Sequence, residues 1–263
     1  MRIALGIEYN GATFCGWQTQ RSGCAVQDAL ERALAAIAGE KIATICAGRT
    51  DAGVHALAQV VHFDCNVERP ASAWVRGTNT SMPSGAAVTW MQPVAADFSA
   101  RYSARERSYR YVLFNHAVRP ALNQGRVAWC HAPLDIARMS AAATHLLGEH
   151  DFSAFRSAEC QAKSPVRNLR RLAIRRSGDY IVFDLAANAF LHHMVRNIVG
   201  SLSYVGAGRQ PPQWLQEVLA ARDRARAAPT ISAAGLYLAE VSYESRFELP
   251  QMRRSVWFNV PGL

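Results

Sequence analysis

Strand-like runs and runs with helical spacing follow one another in the order strands, helix, strands, once in each half of these 263 residues. Such an order predicts two similar α+β units with mostly antiparallel sheets. In the first half, residues 3–9 read as a strand and residues 10–23 as a loop. Val26, Leu30, Ala33, Leu34 and Ile37 recur at the spacing of one helix face, and Gly39 stops that helix. Residues 43–46 and 59–63 read as short strands, residues 70–76 as the opening of a helix, and residues 88–92 as a strand. In the second half, residues 107–114 alternate as a strand does, and residues 134–147 form a helix closed by Gly148. Residues 169–175 and 180–186 read as a hairpin turning at Ser177-Gly178-Asp179. Residues 190–205 form a long helix, residues 214–221 a helix begun by Pro211-Pro212, and residues 236–243 a closing strand. The boundary is placed near Ala100, which gives halves 1–100 and 101–263.

Half of the residues are apolar, so the chain folds around real cores and is not disordered. The net charge is +9, and of the 29 basic residues only Lys41 and Lys163 are lysines. A GC-rich genome accounts for arginine replacing lysine but not for the excess of base over acid. That excess points to a polyanion, which arginine grips bidentately and whose bases it stacks on. The six cysteines, at 15, 24, 46, 65, 130 and 160, include no Cys-x-x-Cys pair and suggest no disulfide framework. They read as buried thiols of a reducing cytosol. The N-terminus reads as a strand and not as a signal peptide, and no stretch reaches the length of a membrane span.

The segment most suggestive of chemistry is Ala47-Gly48-Arg49-Thr50-Asp51-Ala52-Gly53-Val54-His55-Ala56. It has no helix or strand pattern. Gly48 and Gly53 are expected to let the chain turn sharply and lift Asp51 out. A carboxylate held beside a guanidinium suits a nucleophile or a charge stabiliser, although a solvated Asp in a polar turn looks the same in isolation.

Three further groups bear on function. Residues 101–111 interleave four arginines with three tyrosines; on a strand Tyr109 and Tyr111 share a face opposite Arg110. This pattern suits gripping a splayed nucleotide, or else a solvated strand with two core tyrosines. In Phe190-Leu191-His192-His193-Met194-Val195-Arg196-Asn197-Ile198-Val199, Arg196 sits in an apolar helix without an acidic neighbour. It reaches water or pairs with a distant anion, for which Asp51 is the natural candidate. The two histidines, as helix neighbours, point about 100° apart, so a metal is not expected. The loop around Trp17 either touches RNA or packs on the core. Arginines 167, 170, 171, 175 and 176, and 222, 224 and 226, form further basic clusters. No glycine-rich nucleotide loop or nucleophile elbow occurs, so no cofactor is expected.

Gly48-Arg49-Thr50-Asp51-Ala52-Gly53-Val54-His55, Tyr109-Arg110-Tyr111, His192-His193-Met194-Val195-Arg196-Asn197-Ile198-Val199-Gly200 and Gly235-Leu236-Tyr237-Leu238 together resemble the tRNA pseudouridine synthase A family. The similarity covers nearly the whole chain. It implies that Asp51 is the essential aspartate, Tyr109 the active-site tyrosine and Arg196 the partner of the aspartate. Arg49 then contacts RNA near a flipped base, and Leu236 packs against that base. The resemblance further implies isomerisation of uridine to pseudouridine at positions 38, 39 and 40 of the tRNA anticodon stem-loop. It implies a cytoplasmic homodimer without metal or cofactor, in which two α+β halves meet at a central cleft. The chain departs from the family pattern at Asn10, where the family often has Asp, and at Gly85-Ala86, where it often has Asp-Ile.

This chemistry suits the residues. One carboxylate can serve at the sugar carbon as in glycosidases, and a tyrosine can stack and move a proton. The sequence leaves open whether Asp51 attacks C1′, attacks C6 or assists elimination to a glycal. A non-catalytic tRNA-binding protein explains the charge and the aromatics but leaves Asp51 and Arg196 without a role. A methyltransferase requires a glycine-rich cofactor loop that is missing.

Overall fold

The structure is a computed structural model in which residues 1–250 are described. The described chain forms two compact units, Met1–Arg105 joined by residues 237–250, and Glu106–Leu236. The first carries β1 (Arg2–Tyr9), α1 (Val26–Ala38), β2 (Ile45–Cys46), β3 (His55–Asp64), α2 (Thr78–Ser81) and β4 (Ala86–Val94). The second carries β5 (Glu106–Asn115), β6 (Ala128–Cys130), α3 (Ile136–Ala143), β7 (Gly148–Asp151), β8 (Val166–Ser177), β9 (Tyr180–Ala187), α4 (Met194–Gly206) and α5 (Trp214–Ala221). In β10 (Leu236–Ser242), Tyr237 and Leu238 pair in parallel with His55 and Ala56 of β3. The first unit therefore ends at Arg105 and recovers the closing strand. The expected boundary near Ala100 gave that strand to the second half, whose residues 251–263 lie outside the described residues.

In the first unit β1 lies between β3 and β4, antiparallel to both, and β2 pairs with β3. Ile3, Ala4, Leu5 and Ile7 of β1 are all buried, as a strand covered on both faces requires. Phe98, Phe247 and Tyr243 pack with Ala4, Val60 and Trp90. Helix α1 buries Val26, Ala29, Leu30, Ala33 and Leu34, and Asp28 accepts from the Ala25 N–H at its start. Asn10 and Gly85, the two departures from the family pattern, touch: the Asn10 N–H donates to the Gly85 carbonyl at 2.8 Å.

In the second unit β5, β9, β8 and β7 form an antiparallel series in that order, and β6 runs parallel to β5. Strands β6 and β7 were not foreseen: Ala128–Cys130 is three residues long, and Gly148–Asp151 is polar throughout. The helix expected over 134–147 is shorter, because Asp135 caps it by accepting from Ala137 and Arg138. Its end tightens into a 3-10 turn at Thr144–Leu146, and Gly148 opens β7 instead of closing the helix. Helix α4 is buried nearly all round, and Asn197 and Ser201 are fully buried within it. The segment 70–76 forms a π-type turn over Ala73–Gly77 leading into α2. Among the described residues no helix is long and apolar enough to cross a membrane.

Two further readings are corrected. Cys15 and Cys24 are joined in a disulfide, with Cα atoms 5.5 Å apart. The loop between them turns back on itself, and the Cys15 N–H donates to the Cys24 carbonyl. Cys46 and Cys65 are buried free thiols, as expected, while Cys130 and Cys160 are partly exposed. His192 and His193 precede α4 and do not lie on it, because His193 takes a left-handed φ of 64°. Their rings lie side by side with centroids 4.0 Å apart, so the 100° argument does not apply to them.

Candidate active site

The Asp51 loop belongs to the first unit. The Val54 N–H donates to the Asp51 carbonyl at 3.1 Å, which closes a four-residue turn with Gly53 at its third position. Gly53 has φ 79°, the angle a type II turn demands there. Gly48, expected to share this freedom, is not among the left-handed glycines. What holds its side of the loop is a hydrogen bond: the buried Gln59 side chain donates to the Gly48 carbonyl at 2.7 Å. Thr50 is turned inward, its hydroxyl 2.8 Å from that of Tyr9, and Asp51, the next residue, is left partly exposed.

The aromatic loop supports this turn from outside. The Trp17 N–H donates to the Thr50 carbonyl at 2.9 Å, and the Gly11 N–H donates to His55 Nδ1 at 3.0 Å. Gly16 has φ 96°, and a Cβ there lies 2.9 Å from the Thr50 oxygen, so no larger residue fits without a shift. The Trp17 ring is buried, which decides between RNA contact and core packing in favour of packing. His55 stacks on Tyr237 with centroids 4.5 Å apart, so it braces the loop. Arg49 is exposed, and its side chain has no hydrogen bond or ion pair with a described residue. Burial pushes the Cys46 thiol up to about 12, while the charges of Arg49 and Arg101 act against that shift.

Tyr109, Arg196 and Leu236 lie in the second unit. Tyr109 faces Leu185 across the β5–β9 pair, and its ring meets Phe190 edge to face at 5.0 Å. Tyr111 is fully buried, its hydroxyl donates to the Ser232 carbonyl at 2.7 Å, and burial raises its pKa above the ordinary phenol range. Arg196 lies in the first turn of α4, where its Nε donates to the Ile231 carbonyl at 2.9 Å. Tyr111 and Arg196 thus hold consecutive carbonyls of the segment that leads into Leu236, which is buried at the start of β10.

Arg110 does not behave as an RNA-gripping side chain. It pairs with Asp184 at 2.8 Å, and Arg175 joins the same carboxylate at 2.5 Å. Arg105 pairs with Glu244, and Arg107 donates to the Asn188 carbonyl. In the cluster on β8, Arg170 pairs with Glu106, and Arg176 donates to Asn115 and to the Leu134 carbonyl.

Sequence reasoning missed a second group of residues. Asn197 donates from Nδ2 to the Phe155 carbonyl, and its Oδ1 accepts from Arg224 at 3.1 Å and Thr230 at 2.6 Å. The Ser201 hydroxyl accepts from the Ala228 N–H. These bonds fasten the segment carrying Ile231 onto α4. The signal for them was a polar residue inside an apolar pattern, as at Asn197 and at Gln59 in β3.

A family model described as tRNA pseudouridine synthase matches residues 6–103 and 142–244. A tRNA pseudouridine synthase A of Thiobacillus denitrificans is 61% identical over 251 residues, covering 95% of this chain and 96% of that relative. That of Dechloromonas aromatica is 58% identical over 250 residues and 95% of each chain. That of Burkholderia thailandensis is 55% identical over 268 residues, covering 100% of this chain and 99% of the relative. Similarity of this extent, together with the braced Asp51 loop, shows that the chain belongs to the tRNA pseudouridine synthase family.

Proposed function

We propose that this protein is an isomerase that converts uridine to pseudouridine at positions 38, 39 and 40 of the tRNA anticodon stem-loop, as a cytoplasmic homodimer. The observation that carries the reading is Asp51, partly exposed on a turn braced at Gly48, Thr50 and Val54, in a chain of this family. In the reaction the N1–C1′ bond breaks, uracil turns, and C5 bonds to C1′. The hydrogen on C5 leaves and N1 takes up a proton, so the composition is unchanged and no oxidant or co-substrate is consumed.

Each residue has a part in this scheme. Asp51 stabilises or captures the sugar–base unit as the glycosidic bond breaks. Arg196 serves as the cationic partner that orients the reacting carboxylate. Tyr109 stacks on the extruded uracil and exchanges a proton through its hydroxyl. Arg49 contacts the RNA beside the flipped nucleotide, and Leu236 packs against its base. Extrusion costs least at the junction of a helix and a loop.

The experiment is to incubate the full chain with unmodified tRNA and map pseudouridine by carbodiimide adduct and primer extension. Stops at positions 38 to 40 are expected with the wild type. With Asp51→Asn none is expected, while tRNA affinity survives because phosphate contacts dominate it. Asp51→Asn turnover within about tenfold of wild type sinks the assignment of Asp51, and an unmodified tRNA with the wild type sinks the activity.

A further inference from the structure

Asp51 owes its place to side chains that have almost no exposed surface. Tyr9 is the last residue of β1, and the register between β1 and β3 shifts between Ile7 and Tyr9. A bulge of this kind re-aims the side chain that follows it. The Tyr9 hydroxyl is buried 2.8 Å from the Thr50 hydroxyl and 3.3 Å from Gln59 Nε2. Gln59 is fully buried, and the same nitrogen donates to the Gly48 carbonyl at 2.7 Å. One amide therefore supplies donors to the carbonyl three residues before Asp51 and to the phenol that holds the residue immediately before it.

An ordinary surface turn has no need of this arrangement. The Thr50 main chain is already fastened by the Trp17 N–H, and the turn after Asp51 is closed by Val54. The added hydroxyl pair fixes the side chain of Thr50, and with it the peptide plane from which Asp51 projects. We propose that the Gln59–Tyr9–Thr50 chain of hydrogen bonds aims the Asp51 carboxylate, so that Tyr9, Thr50 and Gln59 are positioning residues for the isomerisation. This rests on Asp51 being the catalytic carboxylate. A displaced reacting group costs far more in rate than in binding, whereas affinity for RNA follows the phosphate contacts.

The test uses the full chain with Thr50→Val, Thr50→Ser, Tyr9→Phe and the double variant Tyr9→Phe/Thr50→Val, with Asp51→Asn alongside. Valine keeps the shape of threonine and loses the hydroxyl; serine keeps the hydroxyl. In single-turnover assays Thr50→Val and Tyr9→Phe should lower kcat by about ten- to a hundredfold, with tRNA affinity unchanged. Thr50→Ser should restore turnover, and the double variant should fall no further than Tyr9→Phe, which already lacks both the Thr50 and the Gln59 bonds of this hydroxyl. If Thr50→Val does not fold, Tyr9→Phe removes the same bond from outside the loop. Wild-type kcat in Tyr9→Phe, or Thr50→Ser as slow as Thr50→Val, overturns the proposal even where melting temperatures fall. Wild-type turnover in Asp51→Asn overturns the reading of Asp51 instead, so the two failures are told apart.

Discussion

Tyr109 and Tyr111 stand two residues apart on one strand, and the structure gives them different work. Tyr111 is sealed in the core with its hydroxyl spent on the Ser232 carbonyl, so it braces the strand, and burial raises its pKa. Tyr109 keeps slight exposure and rests against Phe190 by the edge of its ring. Under the proposed function, Tyr109→Phe keeps the ring and should bind tRNA normally while turnover collapses. Tyr109→Leu also loses the stack, which should weaken binding by about 1–3 kcal/mol. Wild-type turnover by Tyr109→Phe, measured on unmodified tRNA, excludes proton transfer through this hydroxyl. Sequence alone placed both tyrosines on one face correctly, because strand alternation is local. It could not distinguish them, because that depends on a carbonyl 121 positions away from Tyr111.

At the scale of elements, α4 shows the same division. Its apolar period made it legible as a helix, but it starts later than expected because His193 turns left-handed before it. That start puts Arg196 in the first turn, where Ile231 holds it. Asn197, the adjacent residue, fastens the same segment through Arg224 and Thr230. Asn197→Ala removes the shared acceptor of the partly buried Arg224 and Thr230 and the donor to the buried Phe155 carbonyl, which should cost about 1–3 kcal/mol of stability. The loss should appear as a lower urea midpoint. Turnover should fall as well, since the strap behind Arg196 loosens; a variant with unchanged midpoint means the network contributes nothing.

For the molecule as a whole, the arginine excess divides into two populations. Many arginines are neutralised within their own unit: Arg2 by Asp64, Arg110 and Arg175 by Asp184, Arg170 by Glu106, Arg246 by Asp97 and Glu244. Basic side chains outnumber acidic ones, 29 to 20, so pairing cannot consume them all. The surplus is what a polyanion meets. Affinity for tRNA should fall steeply and log-linearly with salt, with a slope of about −0.7 to −0.9 per phosphate neutralised. Filter binding between low and physiological salt checks this, and a flat response contradicts the polyanion reading.

The sequence by itself determined the α+β class, most of the strands, α1 and α5, and the loop on which Asp51 stands. These follow from period, turn chemistry and charge, which act over a few residues. Only the tertiary structure decided that β10 belongs with the first unit, that Cys15 and Cys24 join, that Trp17 packs inward, and that Arg110 is tied to Asp184. It also decided that Tyr9 and Gln59, 41 and 8 positions from Thr50 and Asp51 respectively, stand behind the turn. The physical reason is that a hydrogen bond or an ion pair needs its partner within about 3 Å. Which residues come that close is settled by strand register and the folding back of loops, which no local pattern records.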